Sequence, residues 1–388
     1  MSGPKGDASW RLRERHRKIK EGLWQGALLL ILVAVFGSFI FNVSANLSAR
    51  NIHSGFDFLF ERSGFEIGES LITFNSSEAY FKAFLAGLLN TIKVSVLSII
   101  TATVLGIIVG LMRLSKHPLI KFLGALHVEF YRNIPLLVQL LLVYLVITEL
   151  LPDSFDPIHF GSWAVLSKAG FQFALPNDWH ISFVITTVSF VVSWLALRAA
   201  FIKKSTGLVA TVSGFLGGVV ISLLTWMICG FVFGWDKPEV QRFAIEGGGS
   251  LSPEFLALWF GLTFFTSAAI AEIFRAGFLA VPKGQWAAAS ALGMTKTEII
   301  SYIVFPQALK LAVPPLASQY MNLTKNSSLA VVVGYPDLVS IGNSTINLNG
   351  QALEVIVIIM SVFLTLNLIT AVLMNWLNAK VTRGTNGS

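Results

Sequence analysis

The sequence predicts an all-α polytopic membrane protein with about eight transmembrane helices. Three observations carry that expectation. Apolar runs recur along the chain, each long enough at 1.5 Å per residue to cover a hydrocarbon core of about 30 Å. Charged residues make up only 13% of the 388 residues and hydrophobic ones 54%, whereas about 25% of a soluble domain is charged. The 28 Lys and Arg are also divided unevenly between the connecting loops, as in proteins that sit across a bilayer.

The expected spans are 22–41, 84–112, 125–151, 181–200, 207–234, 255–275, 306–334 and 353–378. The first follows a basic tail, 1–21. Val43-Ser44-Ala45 resembles a cleavage site, but the apolar run of about 20 residues exceeds a usual signal core, so a retained anchor is expected. Loop 42–83 is polar and of mixed charge, and reads as a small exposed cap. Segment 152–254 brings two further spans, and its leading loop, 152–180, carries Trp163, Phe171 and Trp179 near the headgroups.

An even number of spans puts both termini on one side. Loops on that side hold 19 Lys/Arg and the opposite loops six, while Lys93, Arg132 and Lys325 lie within spans. The basic side is the cytoplasm, which makes loop 42–83 periplasmic. This distribution accounts for the net charge of +7 without nucleic acid. Cys229 is the only cysteine, so an intrachain disulfide is excluded. There is no G-x-x-x-x-G-K-[ST] loop and no Cys/His cluster with metal spacing. The chain is therefore expected to bind no metal or other cofactor and not to be an enzyme.

The stretch 282–306, PKGQWAAASALGMTKTEIISYIVFP, is too polar and too broken to cross a bilayer. Pro282 suits a first helical turn, and Gly293 supplies the left-handed residue that ends a helix. Thr295 and Glu298 have the spacing of a capping box, and Pro306 is expected to close the second helix. The result is a short helix, a glycine turn and another helix. Ala287, Ala288, Ala289, Ser290 and Ala291 give the first helix a small-residue surface that another backbone can approach. From physics alone, a tight loop packed on its own protein explains the pattern equally well.

Here the residues resemble a family. Ala287-Ala288-Ala289, three residues, Gly293, nine residues, then Ile303-Val304-Phe305-Pro306 is similar to the EAA loop of permease subunits in bacterial binding-protein-dependent ABC importers. Ala287 stands where that family usually has Glu, and Phe305 where it has Leu. EFYRNIPLLVQLLLVY (129–144), AEIFRAGFLAVPKGQW (271–286) and LTKNSSLAVVVG (323–334) resemble the polar-amino-acid branch. The extra spans resemble the larger permease subunit of general L-amino-acid uptake systems. The resemblance implies a type-1 ABC importer permease core over 84–378, with 152–254 inserted. It also implies a coupling loop, including Gly284, Gln285, Ala287, Ala288, Ala289, Gly293, Ile303 and Pro306, that docks on a separate ATPase dimer. That dimer would use the ATP. A second homologous permease, a periplasmic amino-acid-binding protein and L-amino acids as transported solute complete the implied partners.

Charges in hydrocarbon mark pathways or structural pairs. Glu129 and Arg132, and Glu272 and Arg275, are spaced to pair on one helical turn near cytoplasmic span ends, either structurally or as part of an inner gate. Lys93 is expected to snorkel to the outer interface. On the seventh span, Gln319, Asn322 and Asn326 share one face with Lys325 beside them, and Gln139 lies on the third span. Amides offer both donors and acceptors to a zwitterion, so this set is a candidate substrate path; the same spacing also serves interhelical hydrogen bonding. Pro314-Pro315 is expected to kink or break the helix. The resulting expectation is a permease subunit of an ATP-driven amino-acid importer working by alternating access. The alternative is an autonomous ion-coupled carrier or channel, which would need membrane-buried acids for coupling. Only Glu129 and Glu272 offer themselves, each with an Arg nearby.

Overall fold

A computed structural model describes residues 5–49, 55–202, 207–241 and 244–383. Seven stretches among them are helical, long and apolar enough to cross a membrane, and a bent pair supplies an eighth. They lie in α1 (Lys5–Ala49), α2 (Tyr80–Leu114), the bent pair α3 (Pro118–Asn133) and α4 (Leu136–Leu145), α5 (Trp179–Phe201), α6 (Gly207–Phe233), α7 (Pro253–Leu279), a continuous helix over Lys296–Val333, and α13 (Ala352–Arg383). The basic tail is not a separate segment. Helix α1 begins within it at Lys5, and Arg17–Glu21 and Lys18–Glu14 form i,i+4 pairs along it.

The third span differs from the straight helix expected over 125–151. Its two parts meet at 105° across Ile134-Pro135. Proline disfavours helical backbone in the residue before it, and Ile134 is extended. The bend frees carbonyls, and the buried Gln139 answers them. Its Nε2 donates to the Ile134 carbonyl at 2.7 Å and to that of Tyr131 at 2.9 Å. Beyond α4 the chain makes one widened turn, Val146–Leu150.

On the seventh span the expected closure at Pro306 is corrected, and the helix does not break at Pro314-Pro315. A short helix, α9 (Lys296–Glu298), runs into a widened turn, Ile299–Val304, where the Phe305 amide reaches back five residues to the Ile300 carbonyl. That shift of register comes just before Pro306, the second residue of α10 (Phe305–Asn326), and lets the helix absorb the missing N–H and the proline ring. The helix therefore passes through Pro306 instead of closing there. It also runs through Pro314 and Pro315 to Asn326. Two missing ladder bonds do not break a 22-residue helix packed against α7 and α13.

Small residues bring the core helices together. A Cβ on Gly106 of α2 would lie 2.6 Å from Ile270 of α7, and one on Gly110 would lie 3.0 Å from the Ala271 carbonyl. Gly261 of α7 receives Leu140 of α4 in the same way, and the hydroxyls of Thr101 and Thr263 meet at 2.7 Å between α2 and α7. Without a hydrophobic drive between helices in lipid, such close approach and hydrogen bonding hold spans together.

The loops on the periplasmic side of the expected topology carry short strands that helical periodicity does not announce. β1 (Ile158–Phe160), β2 (Ala164–Ser167), β3 (Gly170–Phe173) and β8 (Gly249–Leu251) form an antiparallel sheet in that order. β4 (Leu175–Pro176) pairs β5 (Trp235–Asp236), and β6 (Glu239–Val240) pairs β7 (Ile245–Glu246). Helix α11 (Ala330–Val333) ends at Gly334, which has φ +83°, and is followed by α12 (Leu338–Asn349). Lys93, expected at the outer interface, reaches the loop before α2. Its Nζ pairs with Glu69 at 2.6 Å and lies 4.3 Å from the Phe255 ring. Glu69 also accepts from Ser252 at 2.5 Å, so the loop before α2 is fastened to the start of α7.

Candidate functional site

Two groups of residues stand out, and one helix connects them. The first is the hairpin that follows α7. Pro282 is the N-cap of α8 (Lys283–Ala291), one residue earlier than a first-turn proline. Gly293, at φ +75°, reverses the chain, a conformation that costs an L-residue roughly 1–2 kcal/mol. The Met294 amide donates to the Ala289 carbonyl at 3.3 Å across that turn. The capping box is complete: the Thr295 amide donates to Glu298 Oε2 at 2.8 Å, and the Glu298 amide to Thr295 Oγ1 at 3.4 Å.

The hairpin has its own core. Val281, Ala289, Ile299, Val304 and Ala308 are buried together, with Phe278, Trp286, Met294 and Ile303 against them. This corrects the reading of Ala289 as docking surface. Five successive small residues run right round a helix, so one must face inward, and Ala289 is that residue. Gly284, Gln285, Ala287, Ala288, Ser290 and Ala291 are exposed, and Pro306 is half-buried. Leu292, at the tip, is 82% exposed.

The second group lines a cavity of about 390 Å³ between α3, α7 and α10, at the small end of the roughly 300–1,000 Å³ range of small-molecule sites. Gln319, Asn322 and Asn326 lie on its α10 wall, as their common face requires. Thr266 and Phe265 come from α7, and Arg132 from α3. Gln139 and Lys325 are not on its walls: Gln139 is turned to the carbonyls of the bend, and Lys325 is exposed. The cavity thus brings one guanidinium to three carboxamides, a set suited to a carboxylate and a polar solute.

The charged pairs divide. Glu272 and Arg275 are bonded at 3.0 Å, and Arg113 of α2 joins them through Glu272 Oε1. Glu129 and Arg132 do not pair among the described residues; Glu129 is approached by Asn133 instead, at 3.4 Å. Arg132 lies at the α3 C-terminus, where the bend leaves its side chain in the cavity wall. Arg113, one residue beyond the expected span 84–112, reads in the sequence as a loop charge, and Asp337 carries no expectation there. Asp337 is fully buried and caps α12 by accepting from the Ser340 amide at 2.9 Å. An Asp immediately before a helical run is an N-cap signal that the sequence carries.

Comparison with known proteins agrees with this architecture. The family described as "Binding-protein-dependent transport system inner membrane component" matches residues 102–383. The "General L-amino acid transport system permease protein AapQ" of Rhizobium johnstonii is 39% identical over 94% of this chain and 92% of that protein. The "Putative amino-acid ABC transporter permease protein YhdX" of Escherichia coli is 38% identical over 94% of each. The "Glutamate/glutamine/aspartate/asparagine transport system permease protein BztB" of Rhodobacter capsulatus is 32% identical over 92% of each. The chain belongs to the family of inner-membrane components of binding-protein-dependent transport systems, as a multi-pass amino-acid ABC-transporter permease.

Proposed function

We propose that this permease imports L-amino acids from the periplasm into the cytoplasm by alternating access, driven by a separate ATPase dimer. One observation carries the reading. The helix that leaves the hairpin through Lys296 runs on without interruption to the cavity wall at Gln319, Asn322 and Asn326. A displacement of the hairpin by an ATPase is therefore delivered along a rigid element to the solute face. Arg132 faces the solute carboxylate, and the carboxamides serve the ammonium and any polar side chain. A second homologous permease completes the path, and a periplasmic binding protein delivers the solute. Both termini are cytoplasmic, by the distribution of Lys and Arg.

The test is purification in mild detergent followed by uptake in proteoliposomes with competing amino acids. An ATPase should co-purify, and uptake should require ATP and the binding protein. ATP-independent uptake by this chain alone would sink the reading. Orientation is checked by labelling with an impermeant thiol reagent in a Cys229→Ala background. Glu66→Cys should react from outside and Trp10→Cys should not.

A further inference from the structure

We infer that Arg113 is a positioning residue for transport: it ties α2 and α3 to the root of the hairpin, so that their inner ends move with it as one body. The inference deepens the coupling role proposed above and rests on it.

Glu272 lies seven residues before the end of α7, about two turns above the hairpin. It is shared. Arg275 of the same helix approaches it through Nη2 at 3.0 Å and Nε at 3.2 Å, and Arg113 reaches it from α2 through Nη1. All three side chains are largely buried, at 17% exposure for Arg113, 22% for Glu272 and 32% for Arg275. The backbones around the cluster are in close contact. A Cβ on Gly110 of α2 would lie 3.0 Å from the Ala271 carbonyl, next to Glu272. One on Gly124 of α3 would lie 3.1 Å from Cγ of Arg113, so α3 rests on the arginine stem. One on Gly277 of α7 would lie 2.8 Å from the Ala308 carbonyl of α10, within the hairpin's own core.

Four helices thus meet above the hairpin with almost no side-chain padding, and Arg113 makes the polar bond between two of them while supporting a third. Eight residues beyond Gly124, α3 carries Arg132 into the cavity wall. The arithmetic of charge separates the roles. Removing Glu272 leaves two guanidinium groups to repel each other. Removing Arg113 leaves the Glu272–Arg275 pair intact and severs only the bond between helices, so Arg113 variants isolate the proposed function.

The experiment uses the assembled transporter in a bilayer. Arg113→Gln should keep basal ATP hydrolysis while solute moved per ATP falls about 5- to 10-fold. Arg113→Lys should fall between Gln and the parent. The exchange Arg113→Glu with Glu272→Arg should recover at least half of the coupling. If Arg113→Gln lowers uptake, hydrolysis and thermal stability in proportion, or changes none of them, the inference is overturned. A second measurement needs no partner. Spin labels at Lys116→Cys and Gln285→Cys, in a Cys229→Ala background of the full chain, report the separation of α2 from the hairpin. The distance distribution should broaden in Arg113→Gln; an unchanged width overturns the inference. Broadening in a chain that engages no ATPase leaves the tie standing and refutes the importer reading instead.

Discussion

Helices α7 and α13 are both apolar spans of the same chain, and they have opposite surroundings. Protein buries 61% of the spanning window of α7 and 6% of that of α13, although α13 is the more apolar of the two. The reason lies in what each must touch. Helix α7 carries Gly261, Thr263, Thr266, Ser267, Ala268 and Ala271 on buried positions. Small residues let α2 and α4 approach, and its hydroxyls find partners in the interior, as Thr263 does with Thr101. Helix α13 exposes Met360, Leu364, Leu368, Val372 and Trp376, which lipid chains solvate as well as protein would. In a bilayer, apolarity marks contact with lipid, and small or polar residues mark contact with protein.

That contrast can be broken by substitution, and the largest effect is expected in the hairpin. Ala289→Arg puts an unpaired charge into the buried core of Val281, Ile299, Val304 and Ala308, at a cost of about 3 kcal/mol or more. Ala288→Arg, one residue away and exposed, should leave the fold intact and weaken ATPase binding instead. Limited proteolysis of the hairpin, set beside ATPase co-purification, separates the two. Equal protease sensitivity would mean that Ala289 is not an inward position.

Next comes the packing seam. Gly106→Leu should cost about 3 kcal/mol, because its Cβ would already overlap Ile270. Gly26→Leu in α1, where nothing lies within 4 Å, should stay within about 0.5 kcal/mol. Thermal unfolding in detergent reads both, and similar losses would dissolve the distinction between protein-packed and lipid-lapped helices.

A smaller difference is expected between two amides. Gln139→Leu leaves the carbonyls of Tyr131 and Ile134 unanswered and should cost about 1–3 kcal/mol. Asn322→Leu should change stability by less than about 0.5 kcal/mol and lower uptake about 10-fold. Loss of assembly in Asn322→Leu would turn the cavity face into interhelical glue.

The smallest effect concerns Asp337, which lies between membrane-crossing helices. Burial pushes its carboxyl up to about 7, against stabilising bonds from backbone amides. A raised native pKa means that the folded chain holds the proton more tightly than the unfolded one. Stability therefore falls as pH rises from about 4 to about 7 and is level above that. Between pH 6 and pH 7 the parent should lose about 1 kcal/mol relative to Asp337→Asn, which keeps a capping oxygen. Parallel stability curves for the two proteins would show that Asp337 is not the titrating group.

Much of this was legible in the sequence. The long apolar runs, the glycine turn at Gly293 and the Thr295–Glu298 box are local signals, and each is present in the structure. The face shared by Gln319, Asn322 and Asn326 follows from helical periodicity alone. What escaped depends on distance along the chain or on register. Lys93 finds Glu69 across 24 residues, and Arg113 finds Glu272 across 159. The widened turn before Pro306 shifts the ladder by one residue, which no periodic pattern announces. The bend at Pro135 was signalled, since a residue before proline leaves the helical region, but the apolar run around it hid the break. Strands of two to four residues are too short to display an alternation.

The sheet that joins β3 to β8 has a consequence for how such a protein can grow. Phe173 and Gly249 are register partners, so the two spans between them leave one face of the membrane and return to it at neighbouring points. An addition bounded in this way must contain an even number of crossings. It therefore preserves the sidedness of every helix that follows, and α7, the hairpin and α13 are threaded as they would be without it. Parity, enforced by three backbone pairings, keeps the α5–α6 pair from altering the sidedness of the rest of the chain.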